Sequence, residues 1–137
     1  MKIRSDFVTN SSSSSYVLAY KGLDTPHPSI KSLNKMIEIV LFSDGGYETT
    51  RGEKVRTIDE LDSYMVDTCG YSDLNTIDKL LAADSYAKKI HTECVKALND
   101  GYTILFKDVG YSDETLSALL RDIANEDIGV KILFGDF

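Results

Sequence analysis

The stretch from Tyr102 to Gly135 does most to limit what this chain can fold into. "YTILFKDV" (Tyr102 to Val109) is a nearly continuous apolar run of strand length, rich in residues that favour strands. "SDETLSALLRDIANE" follows as an amphipathic helix, with Ser112 as its N-cap and Asp113 and Glu114 at the positive end of its dipole. "VKILFG" (Val130 to Gly135) is a second short apolar strand. Strand, helix, strand is the β-α-β pattern, which predicts a parallel pair joined by a right-handed crossover. Strands this apolar also predict a sheet covered on both faces.

Upstream, "YVLAY" reads as another strand, with Tyr16, Leu18 and Tyr20 on one face and Val17 and Ala19 on the other. "GLDTPHPS" ends it, because neither proline can donate to a ladder. A helix is expected from Pro28 to Phe42, where Ile30, Leu33, Ile37, Val40 and Leu41 form one apolar stripe. "SDGGYETTRGEK" is a polar loop or short hairpin, and Thr57 with Glu60 makes a capping-box pattern before a second helix. Leu74 to Asn99 keeps a helical period, interrupted at Asp84 and Ser85, and Gly101 is placed to end it. "GYSD" occurs at Gly70 and again at Gly110, each time as helix-start chemistry rather than as a duplicated unit. The expected fold class is α/β: a small three- or four-stranded sheet with a C-terminal parallel βαβ unit, flanked by about four helices. Residues 1–137 are expected to form a single domain, with 1–15 as a Ser-rich N-terminal loop or arm.

Composition narrows the function classes. The chain has 42% hydrophobic and 27% charged residues, which suits a folded protein rather than a disordered one. Its apolar runs, such as "IVLF" (Ile39 to Phe42), are too short to cross a bilayer. Ser and Asn stand where a signal peptide needs an apolar stretch, so a cytoplasmic setting without membrane contact is expected. In that setting Cys69 and Cys94 read as small buried apolar residues rather than a disulfide. Fifteen basic against 22 acidic residues give a net charge of −7, with no basic cluster. Direct nucleic-acid binding, which draws its affinity from neutralising phosphates, is therefore disfavoured.

Motifs for chemistry are sparse. Gly45, Gly46 and Gly52 cluster in one loop, but no Gly-Lys-Ser/Thr follows, so they read as turn glycines rather than a phosphate loop. A serine nucleophile needs a base, and only His27 and His91 are available. His91 and Cys94, three positions apart on one helix, with Cys69 as a third ligand, form a weak zinc pattern that core packing explains as well. Asp59 and Asp62 in "DELD" suit a solvated acidic face. No metal or cofactor is expected, and no catalytic residue is identified.

"FVTNSSSSSYVL" is the remaining feature. Serine hydroxyls compete for nearby backbone groups and so favour loops. Successive N–H groups in such a loop can form a concave anion site. Asn10, Ser11, Ser12, Ser13, Ser14 and Ser15 are the candidate binding residues, with Lys2 and Arg4 able to add charge.

"MKIRSDFVTNSSSSSYV", taken at Met1 to Arg4 and Phe7 to Val17, resembles the N-terminus of a group of small bacterial and bacteriophage proteins. That group begins M-K-I-R and continues F-V-S/T-N-S-S-S-S-S-F/Y-V. The resemblance implies a phage or mobile-element context and hence an accessory role, and it carries over no catalytic residue. The expectation is a small non-enzymatic accessory protein that binds a protein partner, one version being an inhibitor of a host factor. The alternatives are a phosphate- or small-molecule-binding protein or transferase using the serine run, and a virion structural component.

Overall fold

The computed structural model describes residues 13–21, 37–43, 49–70, 73–110, 114–124 and 129–135. The elements are β1 (Ser13–Tyr20), β2 (Glu53–Val55), α1 (Ile58–Cys69), α2 (Ile77–Ala83), α3 (Ser85–Asn99), β3 (Thr103–Gly110), α4 (Glu114–Ala124) and β4 (Val130–Gly135). Residues 37–41 are also helical, at the end of the expected first helix; its earlier part lies outside the described residues. So do Asn10, Ser11, Ser12, His27 and Ser112.

The helix boundaries follow local chemistry. Thr57 caps α1, its Oγ1 accepting from Glu60 N at 3.1 Å. The Glu60 carboxylate reaches back to Arg56 N at 2.7 Å, one residue earlier than in a reciprocal capping box. Asp84 both ends α2 and begins α3. Its N–H donates to Leu80 O, and its Oδ1 accepts from Tyr86 N and Ala87 N at 3.0 and 3.1 Å. The interruption in the apolar stripe is thus a real break between two helices. At the end of α3, Gly101 N donates to Leu98 O and Tyr102 N to Ala97 O, with Gly101 at φ 92°. That is a Schellman motif, in which the left-handed residue must be one without a β-carbon penalty.

The four strands make one sheet in the order β2-β3-β1-β4, and every neighbouring pair is antiparallel. The predicted parallel βαβ unit is therefore corrected: β3 and β4 are not neighbours. β1 lies between them, paired with both. Its Val17, Leu18 and Ala19 are fully buried, so it is apolar on both faces and takes a central place that an edge strand could not offer. Because each is antiparallel to β1, β3 and β4 run the same way, held apart by it. Their apolar character reflects helices on both faces, which an antiparallel sheet accommodates as readily as a parallel one.

Period-two alternation sorts the core into two layers. Val17, Ala19, Val55, Ile104 and Phe106 pack under α1, α2 and α3 against Leu61, Met65, Leu80, Ile90 and Cys94. Tyr16, Leu18, Leu105, Val109 and Val130 face the other way, against Ile37 and Leu41 and against Leu116 and Leu120 of α4. At the β1–β4 ladder the register slips between Val17 and Leu18, leaving Leu133 as the extra residue of a bulge. The sheet's far corner is closed by Lys21 N donating to Gly129 O at 2.8 Å. Gly129 has φ 84°, and a β-carbon there would stand 2.4 Å from Lys21 O.

Candidate functional site

Two polar regions meet at the β2 side of the sheet. The first is where the serine run joins it. Ser13, Ser14 and Ser15 belong to β1, paired with Gly110, Val109 and Asp108 of β3, so the expected N-terminal loop gives way to strand at Ser13. Ser15 is 2% exposed, and its hydroxyl donates to Asp108 Oδ1 at 2.6 Å. The strand continues to be held at this end by threonines. Thr50 N donates to Asp108 O, Thr50 Oγ1 accepts from Asp108 N at 3.1 Å, and Thr49 Oγ1 accepts from Gly110 N at 2.8 Å.

Lys107 precedes Asp108 and points to the opposite face. It is 2% exposed, and its Nζ donates to Ser43 O and Thr50 O, both at 2.5 Å. An ammonium removed from water needs such acceptors. Lys107 and Asp108 are the functional-looking residues that the sequence reading missed, absorbed into an apolar run. Their signal was there: two charged residues side by side inside a strand otherwise built of Ile, Leu, Phe and Val.

The second region is an open groove of about 370 Å³ between β2 and α1, lined by Glu53, Lys54, Val55, Asp59, Glu60, Ser63, Tyr64 and Asp67. Helical spacing places Asp59, Ser63 and Asp67 in one row and Glu60 and Tyr64 in the next. Four of the lining side chains are carboxylates and one is an ammonium. That ammonium, on Lys54, sits 4.2 Å from the centre of the Phe42 ring. Tyr64 forms the aromatic part of the wall, stacked on Phe106 with ring centres 4.3 Å apart. Burial, with the negative charges of Asp108 and Glu53 adding to it, pushes the Tyr64 phenol up to about 12, so it stays a neutral hydrogen-bonding group.

The other candidate residues are drawn apart. His91 Nε2 and Asp62 Oδ1 lie 2.7 Å from each other, joining α3 to α1, so Asp62 leaves the acidic row to pair with a histidine. His91 and Ser15 are each engaged with a different carboxylate, and no nucleophile–base pair forms between them. Cys94 is fully buried in the helical layer, and burial pushes its thiol up to about 12, which disfavours the thiolate that zinc requires. Among the described residues no group of three His, Cys, Asp or Glu side chains is arranged to hold a metal ion. Gly52 has φ 98° and lies against Leu105, as a turn glycine leading into β2; Gly45 and Gly46 lie outside the described residues. No helix among the described residues is long and apolar enough to cross a membrane.

Comparison with protein-family models, curated proteins and solved structures finds no match to this chain.

Proposed function

We propose that this protein is a non-enzymatic accessory protein that binds a basic segment of a protein partner in the groove between β2 and α1. The carrying observation is the groove's composition: Glu53, Asp59, Glu60 and Asp67 beside one lysine, on a chain of net charge −7. Several carboxylates around one concavity make a negative potential that attracts and orients a cationic side chain. Tyr64 adds an aromatic surface suited to a guanidinium. The phage or mobile-element context implied by the N-terminal motif fits such a role, with the partner a host factor that the protein inhibits.

The serine-run alternative is less well supported. Ser15 gives its hydroxyl to Asp108, and a carboxylate at that position repels an anion.

Binding of a labelled oligoarginine peptide, followed by fluorescence anisotropy, tests the reading. The wild-type protein is expected to bind it at low salt and to ignore oligoglutamate. The Asp59→Lys, Asp67→Lys double variant is expected to lose about tenfold in affinity, or about 1.4 kcal/mol. Equal binding by the wild type and the double variant would overturn the assignment of the groove. A pull-down from bacterial lysate with the same two proteins then isolates partners that depend on it.

A further inference from the structure

Among the described residues Lys107 is the one Lys, Arg, Asp or Glu that is buried. It lies on the Leu105–Val109 face of β3, and Ser43 O is one of its acceptors and Thr50 O a second. The second acceptor, Thr50 O, sits on the approach to β2. With the Thr49 and Thr50 contacts to Asp108 and Gly110, it ties residues 49–50 to the end of β3. Beyond that tie, β2 itself is weakly held. It contributes three ladder residues, and only Val55 of them is buried. By contrast, β1 pairs with β3 over eight residues and with β4 on its other side.

We propose that residues 49–55 form a strap that opens and closes as a unit while the remainder of the sheet stays folded, with Lys107 as its latch. Local stability follows the amount of buried apolar surface and ladder pairing, and β2 has the shortest ladder of the sheet. When the strap opens, the Lys107 ammonium gives up Thr50 O and regains water. The hydration that the ammonium regains thus offsets part of the hydrogen bonding that closes the strap. Glu53 and Lys54 form the β2 wall of the groove, so an occupant touching that wall selects the closed state. That consequence rests on the reading of the groove as a binding surface; the strap itself does not.

Native-state hydrogen exchange at rising urea, below the unfolding transition, tests this without any ligand. The amides of Thr50 and β2 are expected to exchange about tenfold or more faster than those of β1, through an opening that depends only weakly on urea. Lys107→Met is expected to speed exchange at 50–55 by about tenfold more and leave β1 unchanged. Thr49→Val, which removes the acceptor of Gly110 N, is expected to act in the same direction. If the wild-type amides of 50–55 follow the same urea dependence as β1, there is no separate strap, whatever the variants do. If Lys107→Met leaves exchange at 50–55 unchanged, or alters β1 and β2 alike, Lys107 is not a latch. Because the measurement contains no peptide, a negative result leaves the groove assignment standing, and failure of peptide binding leaves the strap standing.

Discussion

Ser15 and Asp108, 93 positions apart in sequence, share a hydrogen bond of 2.6 Å where β1 pairs with β3. A neutral hydroxyl bound to a carboxylate is among the stronger side-chain hydrogen bonds. Ser15→Ala is expected to destabilise the protein by about 1–2 kcal/mol, since Asp108 is half-buried and water replaces only part of the contact. Urea unfolding of the variant measures it, and an unchanged midpoint would show that the pair contributes nothing.

His91 and Asp62 join α3 to α1 with side chains 18% and 28% exposed. Partial exposure limits such a pair. A double-mutant cycle with His91→Ala and Asp62→Ala is expected to give a coupling of about 0.5–1 kcal/mol. A coupling of zero would show that the contact does not help to hold α3 against α1.

Burial raises the pKa of three described groups, Tyr20, Tyr64 and Cys94, and so makes the protein sensitive to alkali. Tyr64 is pushed up to about 12 from its ordinary 10.0, and Cys94 to about 12 from 9.0, in both cases chiefly by burial. The unfolded chain releases these protons at lower pH than the folded chain does. Between the two values the folded state therefore binds more protons. The associated stability is complete below about pH 9 and is lost as pH rises from there toward 12. Urea midpoints taken across that interval are expected to fall. In a Tyr64→Phe, Cys94→Ala variant the fall should be shallower, whatever its starting stability, and an equal slope would refute the assignment.

Leu119 and Leu120 are adjacent on α4, yet Leu119 is 42% exposed and Leu120 fully buried. Leu120→Ala is expected to cost about 2–5 kcal/mol, from lost apolar burial and the cavity left beneath the helix. Leu119→Ala is expected to stay within about 0.5 kcal/mol of the wild type. Thermal unfolding of the two variants side by side decides, and comparable losses would mean that α4 is rotated from the orientation described.

Gly101 and Gly129 both hold left-handed backbone, at φ 92° and 84°. They differ in space. A β-carbon at Gly101 meets nothing within 4 Å, whereas at Gly129 it meets Lys21 O. Gly101→Ala is expected to cost about 1 kcal/mol from backbone strain alone. Gly129→Ala is expected to cost more, because the Lys21–Gly129 contact must also give way. Equal losses on chemical denaturation would assign both costs to backbone strain.

Where local chemistry decides structure, the sequence was legible. Thr57, Asp84 and Gly101 each bound a helix through hydrogen bonds a few residues away. The alternation in "YVLAY" separated the two core layers, because side chains in a strand must point to opposite faces. Strand order was not legible. An apolar run records that both faces are covered, not which strand lies alongside, and "YTILFKDV" and "VKILFG" are parted by a β1 drawn from far upstream. For the same reason the candidate site was hidden. Asp59 and Asp62 sit one turn apart in sequence, but only the fold turns one into the groove and the other toward His91. The serines drew attention as a loop, and the partner that makes a strand of Ser13–Ser15 lies on β3.

The central position of β1 also sets an order of events during synthesis. β1 is made before any other strand of the sheet, yet both of its neighbours, β3 and β4, come last. Until they emerge, a strand with apolar side chains on both faces has no ladder to join. Closing loops of this length before any pairing is gained slows folding. The helices α1, α2 and α3, which pack against one another, are all synthesised before β3 and β4. The strand that ends up most protected in the native protein is thus the one longest unprotected while the chain is being made.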